Sequence, residues 1–477
     1  MKFDYDLLII GAGSAGMAAA EVAPRMGVRV ALAERDRIGG DCLWTGCVPS
    51  KALIASAKLA HRMKSASELG LADQIAAVDT AKVLDRVRAV QHDIAATTDS
   101  IEHFQRLGVD VLTGVARVRD EHSAVVAGRV ITARFILLAS GSRPSVPPIE
   151  GLGESGYLTS DTLFCLERLP SSLIVIGGGP IAVETSQAAR RLGVEVTLLE
   201  SQAQILGRED GRLAARVRSI LEREGVSIFT GAAVERVELR GSGRMVTGTV
   251  DGERHEWRAH GVLVATGRAP NVEDLGLAEA GISTSPKGIV VDDRLRTSVS
   301  SIYAAGDVAG RFFFTHSAVS EAATALRNMF YPGSKPAPML VPWTTFTEPE
   351  LGHAGMTRAQ AEAELGRDRI LEFRAPLSES DRARADGVDG EFVCVTDTNY
   401  RLLGAHVLAP GAGDMMGHLA VAIGRGDRLT PDFANAIQVY PTISFTLSQL
   451  AAHATYRQLR RPFLRGMRRL ADHLLPR

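Results

Sequence analysis

Short apolar runs rich in strand-forming residues alternate with helix-forming stretches over much of this chain. The run at 4–10 ends at a glycine cluster, and the Ala-rich stretch 17–22 and a second apolar run at 28–33 follow it. Further apolar runs are each interpreted as a strand. They lie at 136–139, 173–176, 194–199, 262–265 and 302–305. Apolar runs of this length separated by helical stretches predict an α/β fold with buried parallel strands.

Two stretches show the spacing of an amphipathic helix. The segment 52–64 carries apolar residues at helical intervals, and the segment 80–107 does so over a longer span. Residues 109–130 alternate with turns and predict a small β-meander. From Met339 onward the pattern changes, and strands are predicted at 341–346, 392–396 and 402–408 with helices between them. We interpret this last part as a separate α+β domain.

The first glycine cluster has the form of a dinucleotide-binding fingerprint. Gly11, Gly13 and Gly16 lie between the first strand and the first helix, and Glu34 ends the next strand. These glycines permit a tight turn, close approach to a pyrophosphate and helix–strand packing, and the acid binds a ribose hydroxyl.

A second copy of this fingerprint begins after the run at 173–176. Gly177 and Gly179 are followed by Ala182 at the third glycine position, which the pattern allows. Glu34 lies 23 residues after Gly11, and Glu200 lies 23 residues after Gly177. The chain is therefore predicted to bind two dinucleotides. A carboxylate at Glu200 favours NADH, while the neighbouring Arg208 leaves NADPH open.

Residues 38–51 hold two of the chain's four cysteines, Cys42 and Cys47, at the predicted start of a helix. Unpaired N–H groups and the dipole at a helix N-terminus stabilise a thiolate. We interpret the stretch as a redox switch; the competing interpretation is a pair of buried structural thiols. Cys165 and Cys394 lie beside apolar residues and are predicted to be core cysteines.

Composition narrows the class of protein. The 477 residues carry a net charge of −1, which gives no sign of nucleic-acid binding. Four cysteines make no disulfide scaffold, and neither a secretory leader nor a long apolar run is evident, so a cytoplasmic location is expected. No resident metal site is predicted.

With these motifs, the chain resembles the pyridine nucleotide–disulfide oxidoreductases, which include dihydrolipoamide dehydrogenase, glutathione reductase and mercuric reductase. Residues 39–51 match the form GGxCxxxGCxPSK, and the ATGRxPN element at 265–271 and the AAGD element ending at Asp307 follow in the family's order. The resemblance implies an α/β fold with two Rossmann-like FAD/NAD(P)-binding domains and a C-terminal α+β dimerisation domain. The expected segments are an FAD domain (1–150), an NAD(P) domain (151–270), a return to the FAD part (271–337), a dimerisation domain (338–456) and a basic tail (457–477).

The resemblance also implies site residues. FAD is expected along the first fingerprint and at further positions: Gly11, Gly13, Gly16, Glu34, Gly40, Lys51, Ala116, Ser140, Gly141 and Asp307. NADH is expected on the second set: Gly177, Gly179, Glu200 and Gly267. Lys51 and Glu184 match the family's ion pair beside the flavin. Cys47 matches the thiol next to the flavin, and Cys42 matches the thiol that exchanges with substrate. The resemblance also implies a homodimer.

The sequence departs from the family near the C-terminus. Dihydrolipoamide dehydrogenase and glutathione reductase carry a His-Pro-x-x-x-Glu motif there, whose His is the acid–base group for thiol exchange. Here Tyr440 and Phe445 occupy the His and Glu positions. A phenol is a poor base at neutral pH, so lipoamide and glutathione are disfavoured as substrates. Tyr440 is either a proton donor to substrate or a packing residue.

The electron acceptor stays open. No cysteine follows Cys394, so the C-terminal pair of mercuric reductase is absent and the chain resembles a separate branch near that enzyme. The leading prediction is NAD(P)H-dependent reduction of a small disulfide or metal ion through FAD and the Cys42–Cys47 pair. The alternatives are a flavin that reduces a quinone, metal ion or oxygen directly, and a redox sensor or binding protein. The Arg-rich tail is either a peripheral membrane contact or a helix packed on its own protein.

Overall fold

The protein is described from a computed structural model, which covers residues 2–460 and Gly466. Its strands and helices alternate as the apolar pattern predicts. The strands are β1 (Tyr5–Ile10), β2 (Val30–Glu34), β3 (Val109–Thr113), β4 (Ala116–Asp120), β5 (Ser123–Val126), β6 (Arg129–Leu138), β7 (Ser142–Pro144), β8 (Ser172–Ile176), β9 (Glu195–Glu200), β10 (Ser227–Thr230), β11 (Ala232–Arg240), β12 (Gly243–Val250), β13 (Glu253–Ala259), β14 (Gly261–Val264), β15 (Arg268–Pro270), β16 (Thr284–Ser285), β17 (Gly288–Ile289), β18 (Ile302–Ala304), β19 (Trp343–Thr345), β20 (Glu350–Gly355), β21 (Ile370–Pro376), β22 (Glu391–Asp397) and β23 (Leu402–Ala409).

The helices connect and cover these strands. They are α1 (Ser14–Val22), α2 (Gly40–Trp44), α3 (Cys47–Lys64), α4 (Thr80–Thr97), α5 (Ile101–Arg106), α6 (Leu152–Ser155), α7 (Ser160–Leu163), α8 (Pro180–Arg191), α9 (Gly211–Arg223), α10 (Thr315–Phe330), α11 (Arg358–Leu365), α12 (Asp381–Asp386), α13 (Ala412–Arg425) and α14 (Thr446–Leu459). Among the described residues, no helix has the length and apolar character needed to cross a membrane.

A seven-stranded sheet contains the first glycine cluster. Its order is β3-β2-β1-β6-β5-β4, and β18 pairs with β6. β3, β2, β1, β6 and β18 are parallel to one another. On its other edge β6 pairs antiparallel with β5, which pairs antiparallel with β4. Alternate residues of β1 enter two separate cores, with Leu7 and Ile9 in one and Leu8 and Ile10 in the other. Burial on both faces explains why these strands are continuous apolar runs.

A second parallel sheet contains the second glycine cluster. Its order is β10-β9-β8-β14, and β8 pairs with both β9 and β14 in parallel register. An antiparallel meander of β11, β12 and β13 packs its apolar residues, among them Trp257, into the core shared with β8 and β14. The two parallel sheets confirm the predicted pair of dinucleotide-binding folds.

The C-terminal part is an antiparallel sheet with helices, as predicted for an α+β domain. Its order is β19-β20-β23-β22-β21. One face of this sheet forms a core with α13 and α14, in which Phe392, Val407, Met416 and Leu450 are buried.

Contacts divide the chain into two compact units. The first comprises Met1–Ala60, Ala77–Ala203 and Glu224–Met339 as far as these residues are described, and it holds both parallel sheets. The second comprises His61–Ala76, Gln204–Arg223 and Leu340–Arg477 as far as these residues are described, and it holds the C-terminal sheet and α9.

Two predicted elements differ from those observed, and a third lies mostly outside the described residues. The helix predicted at 80–107 is two helices, because Ser100 caps α5 by accepting a hydrogen bond from the His103 backbone N–H. The meander predicted at 109–130 loses its first strand, since β3 joins the parallel sheet beside β2. In the tail, α14 continues to Leu459, and most of the predicted segment 457–477 lies outside the described residues.

Candidate active site

The first glycine loop is shaped by contacts that exclude side chains. A Cβ on Gly16 would lie 1.8 Å from the Gly11 carbonyl oxygen, and a Cβ on Gly40 would lie 2.6 Å from the Gly13 Cα. Gly11 itself has a φ of +104°. The loop leads into the N-terminus of α1, whose backbone N–H groups favour an anionic group. This cradle fits the pyrophosphate of the predicted FAD.

The second glycine loop repeats this geometry. A Cβ on Gly11 would lie 2.4 Å from the Ala139 oxygen, and a Cβ on Gly177 would lie 2.4 Å from the Ala265 oxygen. Gly179 precedes α8 in an extended conformation, with Pro180 at the first helical position. The two loops therefore hold their following helices in the same way against the end of a parallel strand, as two dinucleotide sites require.

Both predicted ribose-binding glutamates lie at the loops. Glu34 accepts hydrogen bonds from the backbone N–H groups of Ala12 (2.7 Å) and Asp36 (2.9 Å). Glu200 accepts one from the Gln202 N–H at 2.6 Å, and its Oε2 lies 2.6 Å from where a Cβ on Gly178 would be. These contacts fix each carboxylate beside its glycine loop.

The redox stretch is anchored directly on the first loop. The Gly39 N–H donates to the Ala12 oxygen at 3.0 Å, and α2 begins at the next residue. The helix stops at Trp44, and α3 starts at Cys47. The sequence predicted one helix start in this stretch, whereas the structure has two, at Gly40 and at Cys47. Gln91 of α4 fixes the break, because its amide donates to the backbone oxygens of Leu43 and Trp44.

The two thiols are free in this structure and differ in acidity. A hydrogen bond from Cys42, another with Thr315 and the charge of Lys51 lower the pKa of Cys47 to about 6. The same thiol–thiol contact and burial raise the pKa of Cys42. Cys47 also occupies the first position of α3, where the helix dipole favours a thiolate. At neutral pH the pair is therefore one thiolate, Cys47, and one thiol, Cys42.

Lys51 and Glu184 form the ion pair that the resemblance implies. Lys51 Nζ lies 3.0 Å from Glu184 Oε2, and the Glu184 side chain is buried while that of Lys51 is partly exposed. Lys51 lies one turn after Cys47 on α3, and Glu184 lies on α8. The structure thus brings four predicted site residues of the first unit together.

Sequence reasoning missed several residues around this cluster. Thr315, the first residue of α10, lies 3.3 Å from Cys47 through its hydroxyl. Arg268 pairs with Asp41 and donates to the Ser142 hydroxyl at 2.7 Å. The arginine stands within the ATGRxPN element, which was the signal that could have identified it.

Asp307 belongs to the same polar group. It accepts from the Ser142 hydroxyl at 2.5 Å and lies 3.8 Å from Arg268. Burial raises the pKa of Asp307, and these two neighbours oppose that shift. Its position after β18 places it where that parallel strand ends, as a cofactor-binding acid requires.

The remaining predicted cofactor residues are Ser140, Gly141, Gly267 and Ala116. The Ser140 hydroxyl donates to the Asn271 carbonyl at 2.8 Å, which uses it structurally. Gly141 and Gly267 have positive φ angles of +68° and +135° with open space around them. Ala116 is buried at the start of β4.

Tyr440 was predicted to be either a proton donor to substrate or a packing residue. It belongs to the second unit, whereas Cys42 and Cys47 belong to the first. Its hydroxyl donates to Asp381 at 2.8 Å, and that bond raises the pKa of Tyr440. Its ring is 60% exposed and meets the Phe445 ring edge-on. The phenol is therefore a protonated hydrogen-bond donor and no base.

The two other cysteines separate. Cys394 is buried, as predicted, and burial raises its pKa to about 12. The core position predicted for Cys165 is wrong, because its side chain is exposed. Leu163 and Phe164 are buried at the end of α7, and the next residue, Cys165, is exposed.

Comparisons with known proteins agree with this geometry. The profile of the family described as "Pyridine nucleotide-disulphide oxidoreductase" matches residues 5–322, and that of its dimerisation domain matches residues 341–451. A mercuric reductase of Bacillus cereus is 34% identical over 88% of this chain and 67% of its own length. A dihydrolipoyl dehydrogenase of Haloferax volcanii is 34% identical over 94% of this chain and 96% of its own.

A solved structure is also similar along nearly the whole chain. It is a Cu(II) complex of the HOCl-induced flavoprotein disulfide reductase RclA from Escherichia coli. The similarity has a TM-score of 0.84 at 28% identity and covers 95% of this chain and 99% of that one.

Proposed function

Since the chain belongs to the pyridine nucleotide-disulphide oxidoreductase family, we propose that it passes electrons from NADH through FAD to the Cys42–Cys47 pair and on to a metal cation. The observation that carries this proposal is the low-pKa thiolate of Cys47, which is hydrogen-bonded to Cys42 beside the Lys51–Glu184 ion pair. The protein is a flavoprotein oxidoreductase that acts on NAD(P)H, and its family uses FAD and NAD(P)H.

The residues of the first unit fit FAD. Gly11, Gly13 and Gly16 leave the space that a pyrophosphate needs, and the Glu34 carboxylate lies at the same loop, where it would accept a hydrogen bond from a ribose hydroxyl. The bound FAD supplies hydride acceptance from the nicotinamide and electron delivery to a disulfide. Lys51 supplies a positive charge where negative charge develops, and buried Glu184 holds Lys51 in place.

NADH is the coenzyme we propose. Glu200 ends β9 beside the second loop, where a carboxylate accepts from a free 2′-hydroxyl and repels a 2′-phosphate. We expect a higher kcat/KM with NADH than with NADPH. Replacing Glu200 by Ser should lower the ratio of kcat/KM with NADH to kcat/KM with NADPH, because Ser removes the repulsion of the 2′-phosphate. An unchanged ratio would contradict this role for Glu200.

The chemistry of the thiol pair balances without an external base. Two electrons and one proton convert the Cys42–Cys47 disulfide into a Cys42 thiol and a Cys47 thiolate. Thr315 and Lys51 stabilise that thiolate. Reoxidation by a cation forms the disulfide again and releases one proton, while the cation gains the two electrons, singly on two ions or together on one.

A metal cation fits this site better than a disulfide substrate. Exchange with a substrate disulfide needs a group that accepts a proton from the Cys42 thiol, whose pKa is raised, whereas a cation that binds the sulfur displaces this proton itself. The Tyr440 hydroxyl keeps its proton and donates a hydrogen bond to Asp381, so it does not serve as that base. Thiolates bind soft and borderline cations directly. The similar proteins described as mercuric reductase and as a Cu(II) complex support this choice.

The test measures NADH-dependent reduction of Cu²⁺, Hg²⁺, glutathione disulfide, lipoamide, a quinone and oxygen by the purified holoenzyme. We expect turnover with a cation and loss of that turnover in Cys42→Ser and Cys47→Ser. Cys165→Ser is the matched control, since this exposed thiol lies outside the site. Anaerobic NADH titration should show uptake of two electron pairs.

Three results would refute this path. Cation reduction that survives both cysteine substitutions would assign the chemistry to the flavin alone. Turnover with a disulfide that exceeds turnover with every cation would make the protein a disulfide reductase. Negligible turnover with all acceptors, together with NADH-dependent binding of a partner, would instead identify a redox sensor.

We also propose a cytoplasmic homodimer, since residues 341–451 match the family's dimerisation domain. Sedimentation equilibrium of the holoenzyme should give twice the chain mass.

The Arg-rich tail 457–477 is proposed as a peripheral membrane contact. Deleting it should abolish co-sedimentation with anionic liposomes at low salt, and a full-length protein that ignores such liposomes would refute this contact.

A further inference from the structure

The second unit contains a buried group of two histidines and a glutamate that the redox chemistry does not use. His353 on β20 and His406 on β23 are directly opposite each other in the antiparallel register, so both lie on one face of the sheet. Glu209 lies just before α9. All three side chains are buried, and one nitrogen or carboxylate oxygen from each lies within 4.8 Å of the others.

Each imidazole is oriented by a backbone carbonyl. His353 Nε2 lies 2.9 Å from the Gly355 oxygen, and His406 Nε2 lies 3.0 Å from the Met356 oxygen. A carbonyl only accepts, so Nε2 is the protonated nitrogen of both rings. In both rings Nδ1 is left for another partner. Histidines that bind metals are held by this kind of hydrogen bond from the opposite ring nitrogen.

The two Nδ1 atoms differ in their contacts. His353 Nδ1 lies 2.9 Å from Glu209 Oε2, which is hydrogen-bond distance. His406 Nδ1 is buried and has no hydrogen-bond partner among the residues that the structure describes. Because Nε2 donates to the Met356 oxygen, the lone pair of the neutral His406 ring is on Nδ1. A buried lone pair without a donor is unfavourable unless something occupies it.

Trp343 holds the carboxylate and one ring in place. Its indole N–H donates to Glu209 Oε1 at 2.5 Å, and its ring stacks on His353 with a centroid distance of 3.7 Å. Both oxygens of Glu209 are therefore positioned, one by the indole and one toward His353. Three donors fixed in this way resemble a preorganised coordination site more than a loose ion pair.

We infer that Glu209, His353 and His406 bind one divalent transition-metal cation of the zinc class. Two imidazole nitrogens and one carboxylate oxygen suit Zn²⁺ and related ions better than Ca²⁺ or Mg²⁺, which prefer oxygen ligands alone. The cation replaces the proton of the hydrogen bond between His353 Nδ1 and Glu209, and that proton is released to solvent. No electron is transferred. The ion joins the segment before α9 to β20 and β23, and it stabilises this unit.

The test uses the full-length holoenzyme in a Cys42→Ser/Cys47→Ser background, because the redox thiols also bind soft cations. After treatment with a chelator, Zn²⁺ is titrated in competition with a chromophoric chelator. We expect one equivalent per chain. His406→Leu should weaken binding at least 100-fold, and Trp343→Phe about tenfold, as for other residues that orient metal ligands. His453→Gln, an exposed histidine on α14, is the matched control and should bind as the background does.

A spectroscopic measurement keeps the test independent of folding defects. Co²⁺ bound to the unsubstituted cluster should show visible ligand-field bands without a sulfur-to-metal charge-transfer band, since its ligands are nitrogen and oxygen. Saturating Zn²⁺ should also raise the Tm of the background protein and leave that of His406→Leu unchanged. Absence of stoichiometric binding, equal affinity in His406→Leu, or a sulfur charge-transfer band would each overturn the proposal and leave a proton-filled Glu–His pair.

Discussion

Cys47 owes its acidity to three neighbours that belong to different elements. Cys42 on α2, Lys51 on α3 and Thr315 on α10 all lower its pKa, and the contact with Cys42 has the largest effect. We expect the ultraviolet absorbance of the thiolate in the reduced protein to titrate with a midpoint near pH 6, well below the usual value of 9.0 for a thiol. The thiolate is then present above pH 6 and lost below it.

Substitution of a neighbour tests that assignment. Cys42→Ala should move the midpoint upward, toward the ordinary thiol value, because the hydrogen bond that favours the thiolate is lost. Cys165→Ala is the control and should leave the midpoint where it was. A midpoint that Cys42→Ala does not move would show that Cys42 does not set the acidity of Cys47.

Lys51→Met should slow flavin reduction by NADH and make the flavin reduction potential more negative. The substitution removes the cation that faces the developing negative charge and leaves Glu184 buried without that partner. A spectroelectrochemical titration against a reference dye measures the potential. Lys64→Met, at the exposed end of the same helix, is the control. Equal potentials in both variants would exclude electrostatic tuning by Lys51.

Residues that sequence reasoning could identify carry their signal locally. Gly11, Gly16 and Cys47 stand in motifs whose spacing reflects a loop or a helix start. Arg268 and Thr315 were missed, because their contacts with Asp41 and Cys47 join segments that are distant in sequence. His353 and His406 were missed for the same reason, since only the pairing of β20 with β23 brings them opposite each other.

At the scale of elements, the closeness of α1 to its glycine loop gives a sharp prediction. Gly16→Ala places a methyl group 1.8 Å from the Gly11 oxygen, so the helix start must move. We expect destabilisation of about 1–3 kcal/mol or more, with loss of bound flavin during gel filtration. Thermal unfolding and the ratio of flavin to protein absorbance measure the two effects.

A second glycine separates this effect from that of helix propensity. Gly417 lies inside α13 with nothing within 4 Å of its missing Cβ. Gly417→Ala should stabilise the protein by about 0.5–1 kcal/mol, because alanine favours the helix. If Gly16→Ala were stabilising as well, the close approach of α1 to its loop would be wrong.

Elements were predictable where burial sets the pattern. β1 and β8 are buried on both faces and appear as continuous apolar runs. β20 was not predicted, because its sequence Glu350–Gly355 holds one large apolar residue and two glycines and it forms through pairing with β19 and β23. The break between α4 and α5 is set by one capping serine, which periodicity does not reveal.

At the scale of the whole molecule, the repeated offset between glycine and glutamate was the strongest guide. It predicted two dinucleotide folds, and both parallel sheets are present. The antiparallel meander β11–β13 was not anticipated. The surface that a partner subunit covers and the nature of the electron acceptor depend on molecules outside the chain, which no pattern within it specifies.

The short interval between Cys42 and Cys47 has a consequence for chain entropy. The break between α2 and α3 brings the thiols together across a very small loop. Closing such a loop restricts the unfolded chain little, so the disulfide should add only about 2 kcal/mol to the free energy of unfolding. Calorimetry of the oxidised and reduced holoenzyme should therefore give closely spaced transitions. The catalytic cycle would then leave the population of folded protein almost untouched at every turnover.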